Sequence, residues 1–138
     1  MSGEKIKLLE HSAGELSDFD TVTASPPSRM RTGMDEFDRV LGGGVVHGSL
    51  ILMGGDPGIG KSTLCLQVAA LIARNIQEGE CVLYVSLEES LEQVKMRLSR
   101  VGGAAKGLRY LGNAESFAII GAIMKHKPRF VVVDSIQT

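Results

Sequence analysis

The chain has 138 residues, an apolar content of 43% and a formal net charge of −1, enough for one domain with a sizeable core. That balance excludes a global basic field for nucleic acid and an acidic solvating tail, and an aromatic share of 4% without Trp removes stacking platforms for single strands. Apolar runs fall far short of a membrane span, and the N-terminus lacks the apolar stretch of a signal peptide, so a cytoplasmic protein with no membrane partner is expected.

Residues 1–28 mix charges and end in Ser25-Pro26-Pro27-Ser28, which predicts a flexible leader with at most a short helix around Ile6 to Leu16. Thr32 and Asp35 have capping-box spacing and predict a helix from Met34 to Leu41, with Met34, Phe37, Val40 and Leu41 on one side and the Gly42–Gly44 triplet stopping it. The apolar segment Ser49 to Met53 predicts a strand. A helix from Thr63 to Ile76 follows, with Leu64, Val68, Leu71 and Ile72 as its core stripe.

Between that strand and helix lies Gly55-Asp56-Pro57-Gly58-Ile59-Gly60-Lys61-Ser62-Thr63. This is the pattern of a phosphate-binding loop. Glycines let successive N–H groups turn inward at a β-phosphate, Lys61 reaches the β- and γ-phosphates, and the Ser62 hydroxyl is placed to hold Mg²⁺. The positive end of the following helix adds field at the same spot.

Cys81 to Ser86 is a near-continuous apolar run, expected for a parallel strand covered on both faces. Ser90 to Val101 predicts a helix with Ser90 and Gln93 as a capping box, Leu91, Val94, Leu98 and Val101 facing inward and Gly102-Gly103 as the stop. A short strand over Leu108 to Leu111, a helix from Ala114 to His126 and a strand from Phe130 to Asp134 complete the alternation. Strands alternating with helices predict an α/β fold with a parallel sheet.

Three groups are needed to hydrolyse a nucleotide: a phosphate cradle, an acid that orients Mg²⁺ and a group that aligns water. Asp134, closing an apolar strand at the sheet edge where ligands bind, suits the second. Glu88 is the candidate for polarising the attacking water, with Glu89 as its rival. Both also suit a plainer role as solvated acids before a helix N-terminus. Lys95, Arg97, Arg100, Lys106 and Arg109 read as a wet helix face or, less simply, a DNA contact. His11, His47 and His126 are scattered and the two cysteines form no CxxC pair, so no metal site beyond nucleotide-bound Mg²⁺ is expected, and Cys65 and Cys81 read as buried thiols.

Read together, Arg31-Thr32-Gly33-Met34-Asp35 through Gly44, the loop Gly54 to Thr63, Tyr84-Val85-Ser86-Leu87-Glu88-Glu89-Ser90 and Val133-Asp134-Ser135-Ile136-Gln137-Thr138 resemble the RadA (Sms) family of bacterial DNA repair ATPases. The resemblance runs from about Arg31 to Thr138. It implies a P-loop NTPase of RecA-like fold that uses ATP and Mg²⁺, binds single-stranded DNA and drives branch migration of recombination intermediates as a homo-oligomeric ring, a hexamer by family. Gly55 to Thr63 would be the Walker A loop, with Lys61 catalytic, Ser62 and Asp134 on the metal, and Glu88 the catalytic glutamate.

Three departures accompany it. No cysteine precedes Cys65, so the family's zinc ribbon is not carried over, and Leu87 stands where the family commonly has Gly. The sequence also reaches only the Walker B strand, whereas in RecA-like sheets a further strand lies between Walker B and Walker A. The expectation is therefore a partial RecA-like ATPase domain over 29–138, incomplete at its C-terminal side and inactive in isolation. The alternatives are a KaiC-like or DnaB-like ATPase of the same fold, or a nucleotide-binding module without turnover.

Overall fold

A computed structural model of the chain describes residues 2–11, 13–102 and 106–136. The centre is strand β3 (Val82–Ser86), flanked by β4 (Leu108–Gly112) and β5 (Phe130–Asp134) in a parallel sheet of order β4-β3-β5. Val82 pairs with Leu108 and Phe130, and Ser86 with Gly112 and Asp134. Paired residues of parallel strands share a face, so Tyr84, Ser86, Val132, Asp134 and Tyr110 all project to the same side. The chain leaves β3 for one neighbour and later returns to the other, which puts a topological switch at the C-terminal ends of β3 and β5.

Helix α3 (Lys61–Asn75) covers this face. Leu66, Val68, Ala69, Ile72 and Ala73 pack with Val82, Tyr84, Val132 and Val94 of α4 (Leu91–Arg100) into the core. Small alanines let the helix approach closely, and the fully buried Leu66 contributes about 2–3 kcal/mol. Leu83 and Val85, on the opposite face, are also buried, which explains why β3 has no alternation. α4 begins with the expected reciprocal cap. Gln93 N–H donates to Ser90 Oγ at 3.2 Å and Ser90 N–H to Gln93 Oε1 at 2.9 Å.

Ahead of the sheet lie α1 (Gly3–His11), a 3-10 turn at Phe19–Thr21, the antiparallel pair β1 (Arg29–Met30) and β2 (Val45–Val46), and α2 (Asp35–Val40) between the two strands. The short helix of the leader starts earlier than expected, and every described residue from 2 to 28 is exposed. Gly44 is needed where β2 begins: its φ is +133°, and a Cβ there would lie 2.6 Å from the Met30 carbonyl oxygen.

Several expectations are corrected. Ser49 to Met53 is not a strand. No described strand pairs with it, the sheet ends at β5, and Leu50 and Leu52 are 95% and 86% exposed. An apolar run without a ladder partner leaves its backbone polar groups to solvent and has no reason to pleat. Thr32 does not form a capping box with Asp35, because the N-cap of α2 is Met34, without a side-chain cap. The Thr32 hydroxyl instead donates to the buried Asp38 at 2.7 Å and accepts from Met34 N–H at 3.2 Å. Val40 and Leu91 face solvent, because Met34 and Phe37 at the start of α2, and Val94 and Leu98 of α4, already fill the contacts with the core. The helix before β5 is α5 (Ser116–His126), which has no buried residue, and its Phe117 and Met124 are exposed. Gly103, Gln137 and Thr138 lie outside the described residues.

Candidate functional site

The glycine-rich loop ends where α3 begins. Gly60 is its N-cap, held at φ +95°, a conformation that glycine adopts without strain. No side chain caps this helix, so the first-turn N–H groups of Lys61, Ser62 and Thr63, which have no intrahelical acceptor, open onto the loop. Lys61 Nζ donates to the Gly55 carbonyl and closes the loop on itself.

A cavity of about 480 Å³ brings this cradle to the sheet. Its walls are Pro57, Gly58 and Gly60 to Thr63 from the loop, Ser86, Glu88 and Glu89 from the end of β3, and Asp134 and Ser135 from the end of β5. Gly58, Gly60, Lys61, Ser62, Thr63, Glu88 and Asp134 are thus brought together. Gly55 joins only through Lys61, and Asp56 and Ile59 stay outside the lining. Among the described residues no three His, Cys, Asp or Glu side chains cluster to cage a metal. A hydroxyl and a carboxylate facing one cavity, beside an uncapped helix start, suit a cation held mainly by phosphate and water rather than by a protein cage.

The sequence left Glu88 and Glu89 as rivals, and their surroundings differ. Glu89 is engaged on every side. Its carboxylate pairs with Arg97, its N–H donates to Ser86 Oγ at 3.0 Å, and its carbonyl accepts from the Tyr110 hydroxyl at 2.7 Å. Glu88 is exposed on the cavity wall.

Sequence reasoning missed a second layer beneath Asp134. The hydroxyl of Tyr84, a residue 1% exposed, donates to Asp134 Oδ2 at 3.0 Å, and Arg97 Nη2 lies 3.5 Å from the same hydroxyl oxygen. Burial, then the Asp134 charge and the hydrogen bond to it, push the Tyr84 phenol well above its usual range against the opposing pull of Arg97, so it remains a donor at neutral pH. Arg97 therefore leaves the expected basic face: its side chain is 18% exposed, and its Nε is buried without a hydrogen-bond partner. Burial and Asp134 likewise push the Cys65 thiol up, which fits a packed thiol rather than a nucleophile.

A second cleft of about 560 Å³ lies at the other end of the sheet, where Gly107 and Glu80 flank the strand starts. Its cations Arg74, Lys106 and Arg109 share the cleft with Glu78 and Glu80, and Lys106 pairs with Glu78 at 3.8 Å.

The sequence profile of the family described as "ATPase: KaiC" matches residues 30–137. Over 122 residues, 88% of this chain and 26% of the relative, it is 49% identical to DNA repair protein RadA of Bacillus subtilis. Over the whole chain it is 46% identical to DNA repair protein RadA of Streptococcus pyogenes and 43% identical to that of Streptococcus pneumoniae, covering 28% and 30% of those proteins. The chain spans between a quarter and a third of the length of these curated relatives. With its phosphate loop, parallel sheet and flanking helices all inside the matched region, the chain belongs to the KaiC-type family of RecA-like ATPases.

Proposed function

We propose that residues 29–138 supply the nucleotide-binding core of a cytoplasmic DNA repair ATPase of the RadA type, with residues 1–28 a leader outside it. The observation that carries this reading is the meeting of the phosphate loop with Asp134 and Glu88 around one cavity. In it, the amides of 58–63 and the Lys61 ammonium hold the β- and γ-phosphates of ATP. Ser62 and Asp134 would hold Mg²⁺, which when bound neutralises charge building on the phosphate oxygens. Glu88 accepts a hydrogen bond from a water and aligns it for in-line attack. The names of the relatives support DNA as the partner. We propose further that the protein binds single-stranded DNA and recombination intermediates, couples ATP turnover to branch migration, and works as a homo-oligomeric ring, a hexamer.

The test is steady-state ATP turnover and nucleotide affinity in the full-length protein, with and without single-stranded DNA. Glu88→Gln is expected to lower turnover about 100-fold with affinity retained. Lys61→Ala is expected to lose both. Unchanged hydrolysis in Glu88→Gln would mean that another group aligns the water, and tight binding without turnover in the parent protein would make this a nucleotide-holding module.

A further inference from the structure

The proposed metal acid and water-aligning glutamate follow different strands, and the ladder, with Leu87 N–H donating to the Asp134 carbonyl at 2.9 Å, ties their backbones but does not set the rotation of a carboxylate. A partly buried chain of polar side chains runs from Asp134 to Glu89, the neighbour of Glu88. Tyr84 lies two residues before Ser86 on β3, and its ring, packed in the core beneath α3, brings its hydroxyl to Asp134 Oδ2 at 3.0 Å. Arg97, on α4, approaches that hydroxyl on its outer side at 3.5 Å and pairs with the carboxylate of Glu89, next to Glu88. A carboxylate whose Oδ2 is held from below has one preferred rotation, and its other oxygen is turned away from the phenol.

We propose that Tyr84 is a positioning residue for Asp134, and that Arg97 extends the same restraint to the loop carrying Glu88. The inference rests on the reading of Asp134 as the metal acid. Tyr84 is not among the residues that line the cavity. It spares Asp134 the entropy of being ordered when the Mg²⁺ hydration shell docks, so its loss appears as a greater Mg²⁺ requirement rather than as weaker phosphate binding.

The experiment titrates Mg²⁺ against equilibrium binding of a fluorescent ATP analogue to the full-length protein. Tyr84→Phe keeps the ring and removes only the hydroxyl. It is expected to raise the half-saturating Mg²⁺ about tenfold, with analogue affinity in EDTA unchanged. Arg97→Met, which keeps the apolar stem, is expected to shift it the same way by about threefold, so the result does not hang on one variant's folding. In an Asp134→Asn background Tyr84→Phe should add nothing, a coupling that a merely structural tyrosine would not produce. An unchanged Mg²⁺ requirement in both variants, or a full extra effect of Tyr84→Phe on Asp134→Asn, overturns the proposal. If Asp134→Asn alone leaves the Mg²⁺ requirement untouched, the reading of Asp134 as the metal acid falls, and this inference with it.

Discussion

Two apolar runs of similar composition precede the two halves of the site, and they have opposite fates. Val82 to Ser86 lies at the centre of the sheet with every residue buried, whereas Ser49 to Met53 leads into the phosphate loop unpaired, with Leu50 and Leu52 in solvent. The difference teaches that a strand is made by its neighbours. β3 has ladders on both edges and helices over it, so its loop is held by Ser86, Tyr110 and Arg97. The phosphate loop runs into α3, and Cys65 Sγ of that helix donates to Met53 Sδ, in the run before the loop, at 3.8 Å.

The contrast can be broken by substitution. Leu66→Ala, beneath β3, is expected to cost about 3–5 kcal/mol in denaturant unfolding, because the close-packed α3 face cannot collapse into the hole. A cost below 1 kcal/mol would show that α3 does not carry the fold. Asp38→Asn is expected to cost about 1–3 kcal/mol by leaving the Thr32 amide and hydroxyl poorly matched. Burial raises the Asp38 pKa, but the Thr32 and Gly33 hydrogen bonds and Arg31 outweigh it and hold the carboxyl below its usual range. A folded-state pKa below the unfolded one gives stability that is complete above the unfolded value and drains away as pH falls through the folded one. The cost of Asp38→Asn should therefore be constant near neutrality and shrink in acid, below the ordinary aspartate range. Smallest of all, Leu52→Ser is expected to change stability by less than about 0.5 kcal/mol, since its side chain is 86% exposed. A large loss there would mean that the run is buried in solution, and the contrast with β3 would vanish.

What was legible in the sequence was whatever local chemistry determines. The α4 capping box and the glycine cradle with its helix were readable because their partners lie within a few residues, and the acid closing β5 because it ends an apolar run. The run 49–53 was misread because its composition speaks of burial while its pairing depends on a neighbour elsewhere. The Tyr84–Asp134 bond was invisible because it needs the register that sets Ser86 beside Asp134, across a sequence separation of 50 residues. Arg97 looked like one more solvated cation. Only its place on α4, facing Glu89 and Tyr84, draws it inward, and the sole hint was its helical spacing from Val94, which is buried.

The most direct measurement is a crystal structure of the full-length protein with Mg²⁺ and a non-hydrolysable ATP analogue. The account predicts the triphosphate on the amides of 58–63, with the cation between the Ser62 hydroxyl and the Asp134 carboxylate and Glu88 facing the γ-phosphate. A triphosphate bound instead among Arg74, Lys106 and Arg109 at the opposite end of the sheet, or a cation remote from Asp134, would contradict it.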